Sequence, residues 1–244
     1  MRNHLLILFI AGFLSGCQPG FRPGVLQYSG YNIQRISADS ALSEMLRPYS
    51  EEVRRKMMDT VGLMPVSIRK DLPDGALGNF LADSYLAMAR RKFDPSVQMA
   101  FLNNGGIRIN QMAAGQVLRS TIFEVMPFDN EMVILKVTGA QLQAYLDFIA
   151  AEGGGGIAGV MMTISGKKAT KVKIGGKPID PQVTYVMANS DYTVFSGGFG
   201  GLKSLPVRRT GYLLRDATID YCLDFRQRGL PIAVDTEKRI SHVQ

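Results

Sequence analysis

The stretch Val97-Gln98-Met99-Ala100-Phe101-Leu102-Asn103-Asn104-Gly105-Gly106-Ile107-Arg108 decides how the chain reads. Its first half is an apolar run of strand length and reads as a buried strand. Its second half breaks the run with two asparagines and two glycines, then sets an arginine beside them. Glycine lets the backbone approach a ligand closely and turn its N–H groups toward it. Arginine adds a planar, permanently charged fork suited to phosphate. A buried strand ending in such a loop is a place to hold an anion. The same residues also fit a tight turn with a surface arginine, because Gly and Asn punctuate most turns.

The flanking segments supply the layers around this strand. Residues 74–92 read as a helix, with Leu77, Phe80, Leu81, Tyr85 and Met88 at helical spacing. Residues 37–58 read as another, capped by Ser37 or Asp39, with Ala41, Met45, Leu46, Val53 and Met57 on its apolar side and Pro48 marking a kink or break. Between them, 61–68 is an edge or bulged strand, since Pro65 cannot donate to a ladder. Downstream, 115–127 holds a short helix, 131–137 a strand and 141–151 a helix. Gly153 to Gly156 stop that helix and read as a mobile loop. Residues 159–165 and 169–174 form an antiparallel pair, with Gly175-Gly176 as a second hairpin turn. A strand at 183–188 leads to Ser190-Asp191-Tyr192. A helix at about 213–228 and a strand at 238–243 close the domain. This irregular alternation with hairpins predicts an α/β fold of mixed sheets with α+β character.

The composition fits a globular domain with a real core: 46% hydrophobic and 20% charged over 244 residues. The net charge is +7, from 28 Lys+Arg against 21 Asp+Glu. These cations are dispersed, which suits anionic ligands and excludes a nucleic-acid stripe. The N-terminus begins Met1-Arg2-Asn3-His4, followed by an apolar run at 5–14 broken only by Gly12. That is the layout of a secretory signal, too short to span a bilayer comfortably. It ends in Leu14-Ser15-Gly16-Cys17, which resembles the bacterial lipoprotein signal, cut before a cysteine that is then lipidated. The expected organisation is a signal peptide at 1–16, a lipidated Cys17 and tether at 17–24, and a folded domain at 25–244. Acyl chains on Cys17 would hold the protein on a membrane without spanning it. The absence of an acidic run after Cys17 points to the periplasmic face of a bacterial cell envelope. Cleavage would leave 27 Lys+Arg against 21 Asp+Glu, or +6, and one histidine, His242. Cys222, in a helical pattern with no disulfide partner, reads as a buried apolar residue.

Three loops share a character. Asn104, Gly105, Gly106 and Arg108 offer amides and a guanidinium. Phe128 and Asn130 offer an aromatic face and an amide. Tyr192 with Gly197 and Gly198 offers a second aromatic beside flexible backbone. Two rings can sandwich a flat base, an amide can bond its edge, and arginine can hold phosphate. The ordered set is Gly78-Asn79 with Ala82-Asp83, Asn104 to Arg108, Pro127 to Asn130, Thr138-Gly139, Asp180-Pro181 with Thr184-Tyr185, and Asp191-Tyr192 with Gly197-Gly198. It resembles the C-terminal, substrate-binding domain of the 5′-nucleotidase family over nearly the whole chain after the tether. The resemblance implies helices packed around two mixed β-sheets. It implies that Arg108 contacts phosphate, Phe128 and Tyr192 stack on the base, Asn130 bonds its edge, and the 153–156 loop passes near it.

The chain also departs from the family. The acidic residue that usually holds the ribose is Phe199 here, and the spacing from Tyr192 to Gly197 is one residue longer than the family's. Further family arginines have only Arg69 and Lys70 as offset candidates. Full-length members begin with a metallophosphatase domain holding two metal ions; this chain shows no Asp-x-His or Asn-His-Glu/Asp cluster. No catalytic or metal-binding residue and no cofactor is therefore assigned to it. The expected partners are a nucleotide or nucleoside ligand, a separate metallophosphatase chain carrying divalent metals, and the membrane through Cys17. The leading reading is the recognition component of a split 5′-nucleotidase. Two alternatives stay open: an independent nucleoside or nucleotide-sugar binding lipoprotein, and a structural lipoprotein with a degenerate pocket.

Overall fold

The computed structural model describes residues 39–196 and 201–243. Cys17, Gly197, Gly198 and Phe199 lie outside the described residues. The chain divides between Met45 and Leu46 into two units. The described part of the first is residues 39–45, where Asp39 Oδ1 accepts the amides of Ala41 (2.9 Å) and Leu42 (3.1 Å) and caps a helix start. That helix, α1 (Ser40–Met57), continues into the second unit; Pro48 lies inside it without ending it. Its apolar stripe is spaced for a core, yet no residue of α1 is buried.

The second unit is built on a five-stranded mixed sheet. Its strands are β3 (Met99–Leu102), β6 (Glu131–Thr138), β7 (Gly156–Ala158), β11 (Thr184–Ser190) and β12 (Val207–Leu213), in the order β12-β6-β11-β3-β7. β3 runs parallel to β11, and the other pairings are antiparallel. Strand β3 is buried at all four positions, as its unbroken apolar run requires. Alternate residues of the sheet feed two cores. Ala100, Leu102, Met132, Ile134, Val186 and Ala188 face one, with α2 (Ala76–Lys92) and α6 (Leu214–Gln227). Met99, Phe101, Val133, Leu135, Val137 and Met187 face the other, with α4 (Gly139–Ala151) and a second sheet. That second sheet joins β8 (Val160–Ser165), β9 (Lys168–Ile174), β10 (Lys177–Pro178) and β13 (Ile240–His242), in the order β10-β9-β8-β13. The expected class, α/β with two mixed sheets, is what the fold shows.

Short elements complete the unit. β1 (Thr60–Met64) pairs with β5 (Gly115–Leu118), and β2 (Ile68–Arg69) with β4 (Gln111–Met112). Pro65 separates β1 from β2, so the expected single strand is two. The short helix expected within 115–127 is α3 (Arg119–Val125), which follows β5. Cys222 is fully buried, and burial pushes its thiol pKa up to about 12, so it stays protonated as a small apolar group. Among the described residues no helix is long and apolar enough to cross a membrane.

Candidate functional site

Strand β3 ends at Leu102, and Asn104–Gly106 then make one 3-10 turn. The amide of Gly106 donates to the carbonyl of Asn103 (3.0 Å), and that of Ile107 to Asn104 (3.2 Å). Ile107 is buried and anchors the turn, and the amide of Arg108 donates to Val125 at the end of α3 (2.9 Å). Of the two glycines, Gly106 is the one that serves space. A Cβ at Gly106 would sit 3.2 Å from both Asn103 Oδ1 and Leu102 Cδ1. Because the Gly106 amide is spent inside the turn, capture of an anion falls on the Arg108 side chain more than on this amide.

A cavity of about 330 Å³ opens over this turn. Asn103, Gly105, Gly106, Arg108, Phe128, Asn130 and Tyr192 line it. The fold thus brings together residues from three loops that are up to 89 positions apart in the chain, from Asn103 to Tyr192. Phe128 is 42% and Tyr192 53% exposed, so both side chains are within reach of a ligand from solvent. The Arg108 guanidinium carbon lies 5.7 Å from the Phe128 ring centroid. That guanidinium has no hydrogen-bond or ion-pair partner among the described residues. Lys70 supports the loop instead: its Nζ donates to the carbonyl of Ile107 (2.9 Å). Arg69 stands in the β2–β4 ladder opposite Gln111.

Asn104 lines a different cavity, also about 330 Å³, with Tyr145, Phe148, Glu152, Gly154 and Gly155; Asn103 and Gly105 border both. Asn103 therefore stands in the first cavity where the sequence suggests Asn104. The glycine loop lines this second cavity and is packed. Gly154 has φ +113°, and a Cβ on it would fall 2.1 Å from the carbonyl oxygen of Pro73. Gly156 is in β7 with its Cα against Gly78, where a Cβ would lie 2.4 Å from the Gly78 carbonyl oxygen. Close backbone approach explains Gly154 and Gly156.

Two residues support the site: Asp191, which the sequence gives only as part of a motif and without a role, and Arg215, which it does not single out. Asp191 Oδ1 accepts the amides of Glu131 (3.0 Å) and Tyr192 (2.7 Å), tying the strand after Asn130 to the start of α5 (Asp191–Phe195). Glu131 in turn accepts from the Gly211 amide and from Arg209 Nε (2.8 Å). Burial alone would raise the Glu131 pKa, but these donors outweigh it and hold it below the ordinary carboxylate value. The second, Arg215 at the start of α6, reaches under the Phe128–Asp129 turn.

Such a pocket, lined by two aromatic rings, with a guanidinium and an Asn130 side-chain amide that have no hydrogen-bond partner among the described residues, defines a domain suited to a flat ring joined to an anion. The family model for the 5′-nucleotidase C-terminal domain matches residues 58–205. The chain belongs to this family. It is 29% identical over 214 residues to a 5′-nucleotidase of Vibrio vulnificus, covering 82% of this chain and 36% of that protein. A trifunctional nucleotide phosphoesterase protein of Bacillus subtilis is 33% identical over 140 residues, covering 51% of this chain and 9% of that one. The 5′-nucleotidase precursor of Thermus thermophilus shares the fold with a TM-score of 0.72 at 22% identity, covering 83% of this chain and 43% of that one. The chain spans about a third of the length of the first of these relatives. Among the described residues no three His, Cys, Asp or Glu side chains gather to hold a metal ion, so they do not fit a metal pair.

Proposed function

We propose that this chain is the nucleotide-recognition component of a split 5′-nucleotidase, with the metal-dependent hydrolysis carried by a separate metallophosphatase chain. The observation that carries the reading is the Arg108 guanidinium, without an ion-pair partner among the described residues, in one cavity with the Phe128 and Tyr192 rings. The base stacks between the rings, Asn130 bonds its edge, and Arg108 holds the phosphate. Lipid on Cys17 keeps the component at the bacterial cell envelope, on its periplasmic face. Replacing Phe128 by alanine is expected to remove about 1–3 kcal/mol of stacking, roughly a five- to 150-fold weaker Kd for AMP. Isothermal calorimetry measures it. Absence of AMP binding by the parent protein, or an unchanged Kd in the variant, overturns the reading.

The α1 face supports a protein partner. Leu46, Tyr49 and Val53 lie one helical turn apart on one side and are 49%, 69% and 55% exposed. Tyr49→Asp with Val53→Asp is expected to abolish co-purification of phosphatase activity from envelope extracts and to leave the AMP affinity unchanged. If the unsubstituted protein brings down no phosphatase while binding AMP tightly alone, it is an independent nucleotide-binding lipoprotein.

A further inference from the structure

We propose that Arg215 is the positioning residue of the base clamp, holding the Phe128 turn so that its ring stands beside Arg108 in the cavity that Tyr192 also lines. This rests on the nucleotide reading above for its ligand, though not for its geometry. Arg215 is 8–9% exposed, although a guanidinium is among the costliest groups to bury. Its charge is met on three sides. Nη1 donates to the carbonyl oxygen of Phe128 (3.2 Å). Nη2 donates to Asp129 Oδ1 (2.6 Å). The guanidinium carbon lies 4.1 Å from the centroid of the Phe123 ring on α3. Nε stays buried with no hydrogen-bond partner among the described residues. One planar fork thus joins α3, the Phe128–Asp129 turn and α6, and the Leu214 amide adds a bond to the Asn130 carbonyl (2.9 Å).

The burial and the orphaned Nε argue against a group placed there for general stability, because an apolar side chain would fill the space at lower cost. What an apolar side chain cannot do is hold a backbone carbonyl and the neighbouring carboxylate in one plane. The Phe128 backbone sets where its ring stands, so the fork acts on the clamp through the main chain. Lysine would supply a single point donor and no face for Phe123.

The test compares Arg215→Lys, Arg215→Met and Asp129→Asn. Asp129 has 78% of its side chain exposed, and asparagine keeps an acceptor oxygen for Arg215 Nη2, so this substitution removes the counter-charge without disturbing packing. Amide hydrogen exchange across residues 126–130 is expected to quicken about fivefold or more in Arg215→Met. A smaller gain is expected in Asp129→Asn, with α2 and β6 unchanged in both. Affinity for AMP is expected to fall about tenfold in both Arg215 variants while that for ribose 5-phosphate, which lacks the base, stays within about twofold. In a Phe128→Ala background Arg215→Met is expected to cost nothing further for AMP. Unchanged exchange at 126–130, in any folded Arg215 variant or in Asp129→Asn, overturns the proposal, as does equal loss of both ligands. Quickened exchange in a protein that binds no AMP upholds the positioning role and refutes the nucleotide reading.

Discussion

Replacing Arg239 by methionine is expected to cost about 3–5 kcal/mol of folding stability, nearer the lower figure because water still reaches Asp83. Arg239 has 10% of its side chain exposed and Asp83 27%. Two parallel bonds of 2.8 Å join them, Nη1 to Oδ1 and Nη2 to Oδ2. Nη1 also donates to the carbonyl of Ile157 (2.6 Å) and Nη2 to Asp235 Oδ2 (2.9 Å). The arginine therefore stitches α2 to β7 and to the start of β13. Its loss leaves a largely buried carboxylate without a counter-charge and an unpaired carbonyl. Burial already pushes the Asp83 pKa above 3.8 against the pull of Arg239. Without the arginine that rise grows. A carboxylate with a raised folded-state pKa takes up a proton more readily folded than unfolded, so stability returns as pH falls through the folded value. The deficit should thus be larger at neutral than at acid pH, as read by urea denaturation at both. Adding Asp83→Leu to Arg239→Met should recover much of the loss, because the buried charge goes with its partner. A deficit independent of pH and of Asp83 would show that packing, not charge, held the three elements.

The layers of this fold were legible where apolar runs met turn residues. β3, β6, β8 and β9 lie within a residue or two of where alternation and turns put them. β7 was not, because three residues beginning at a glycine carry no period, and only pairing with β3 makes them a strand. β12 was not, because an exposed edge strand reading Val-Arg-Arg-Thr-Gly-Tyr-Leu gives no apolar run. The stripe on α1 misled in the other direction, since periodicity reports an apolar face but not what covers it.

The candidate site divides the same way. Arg108, Phe128, Asn130 and Tyr192 announce themselves by residue type at strand and helix ends, and the fold gathers them. Whether Asn103 or Asn104 faces the first cavity depends on the phase of a single 3-10 turn, which sequence does not give. Asp191 and Arg215 act across 60 and 87 residues on backbone groups, and nothing local marks a side chain whose partner is a distant amide or carbonyl. Their signal lies in the sum: an arginine at the first turn of an otherwise buried helix face needs a reason to be there.

Arg108→Ala is expected to weaken AMP binding on the order of a hundredfold, since charge-assisted hydrogen bonds are worth about 1.5–3 kcal/mol and a fork offers two. Adenosine affinity should fall only a few-fold, about the 0.5–1 kcal/mol of an exposed cation–π contact, because the guanidinium also sits 5.7 Å from the Phe128 ring. Arg108→Lys should keep the charge and recover part of the AMP affinity, but not the paired geometry. Salt supplies an independent readout. The pocket is open, so a phosphate–guanidinium contact is screened as ionic strength rises. AMP affinity of the unsubstituted protein should drop between low and high salt, and that of Arg108→Ala should stay nearly flat. Equal losses for AMP and adenosine, with the same salt response in both proteins, would move Arg108 from the phosphate to the base. The guanidinium would then be a third wall of the aromatic clamp, and the pocket would read as a nucleoside site with no anion contact at this loop.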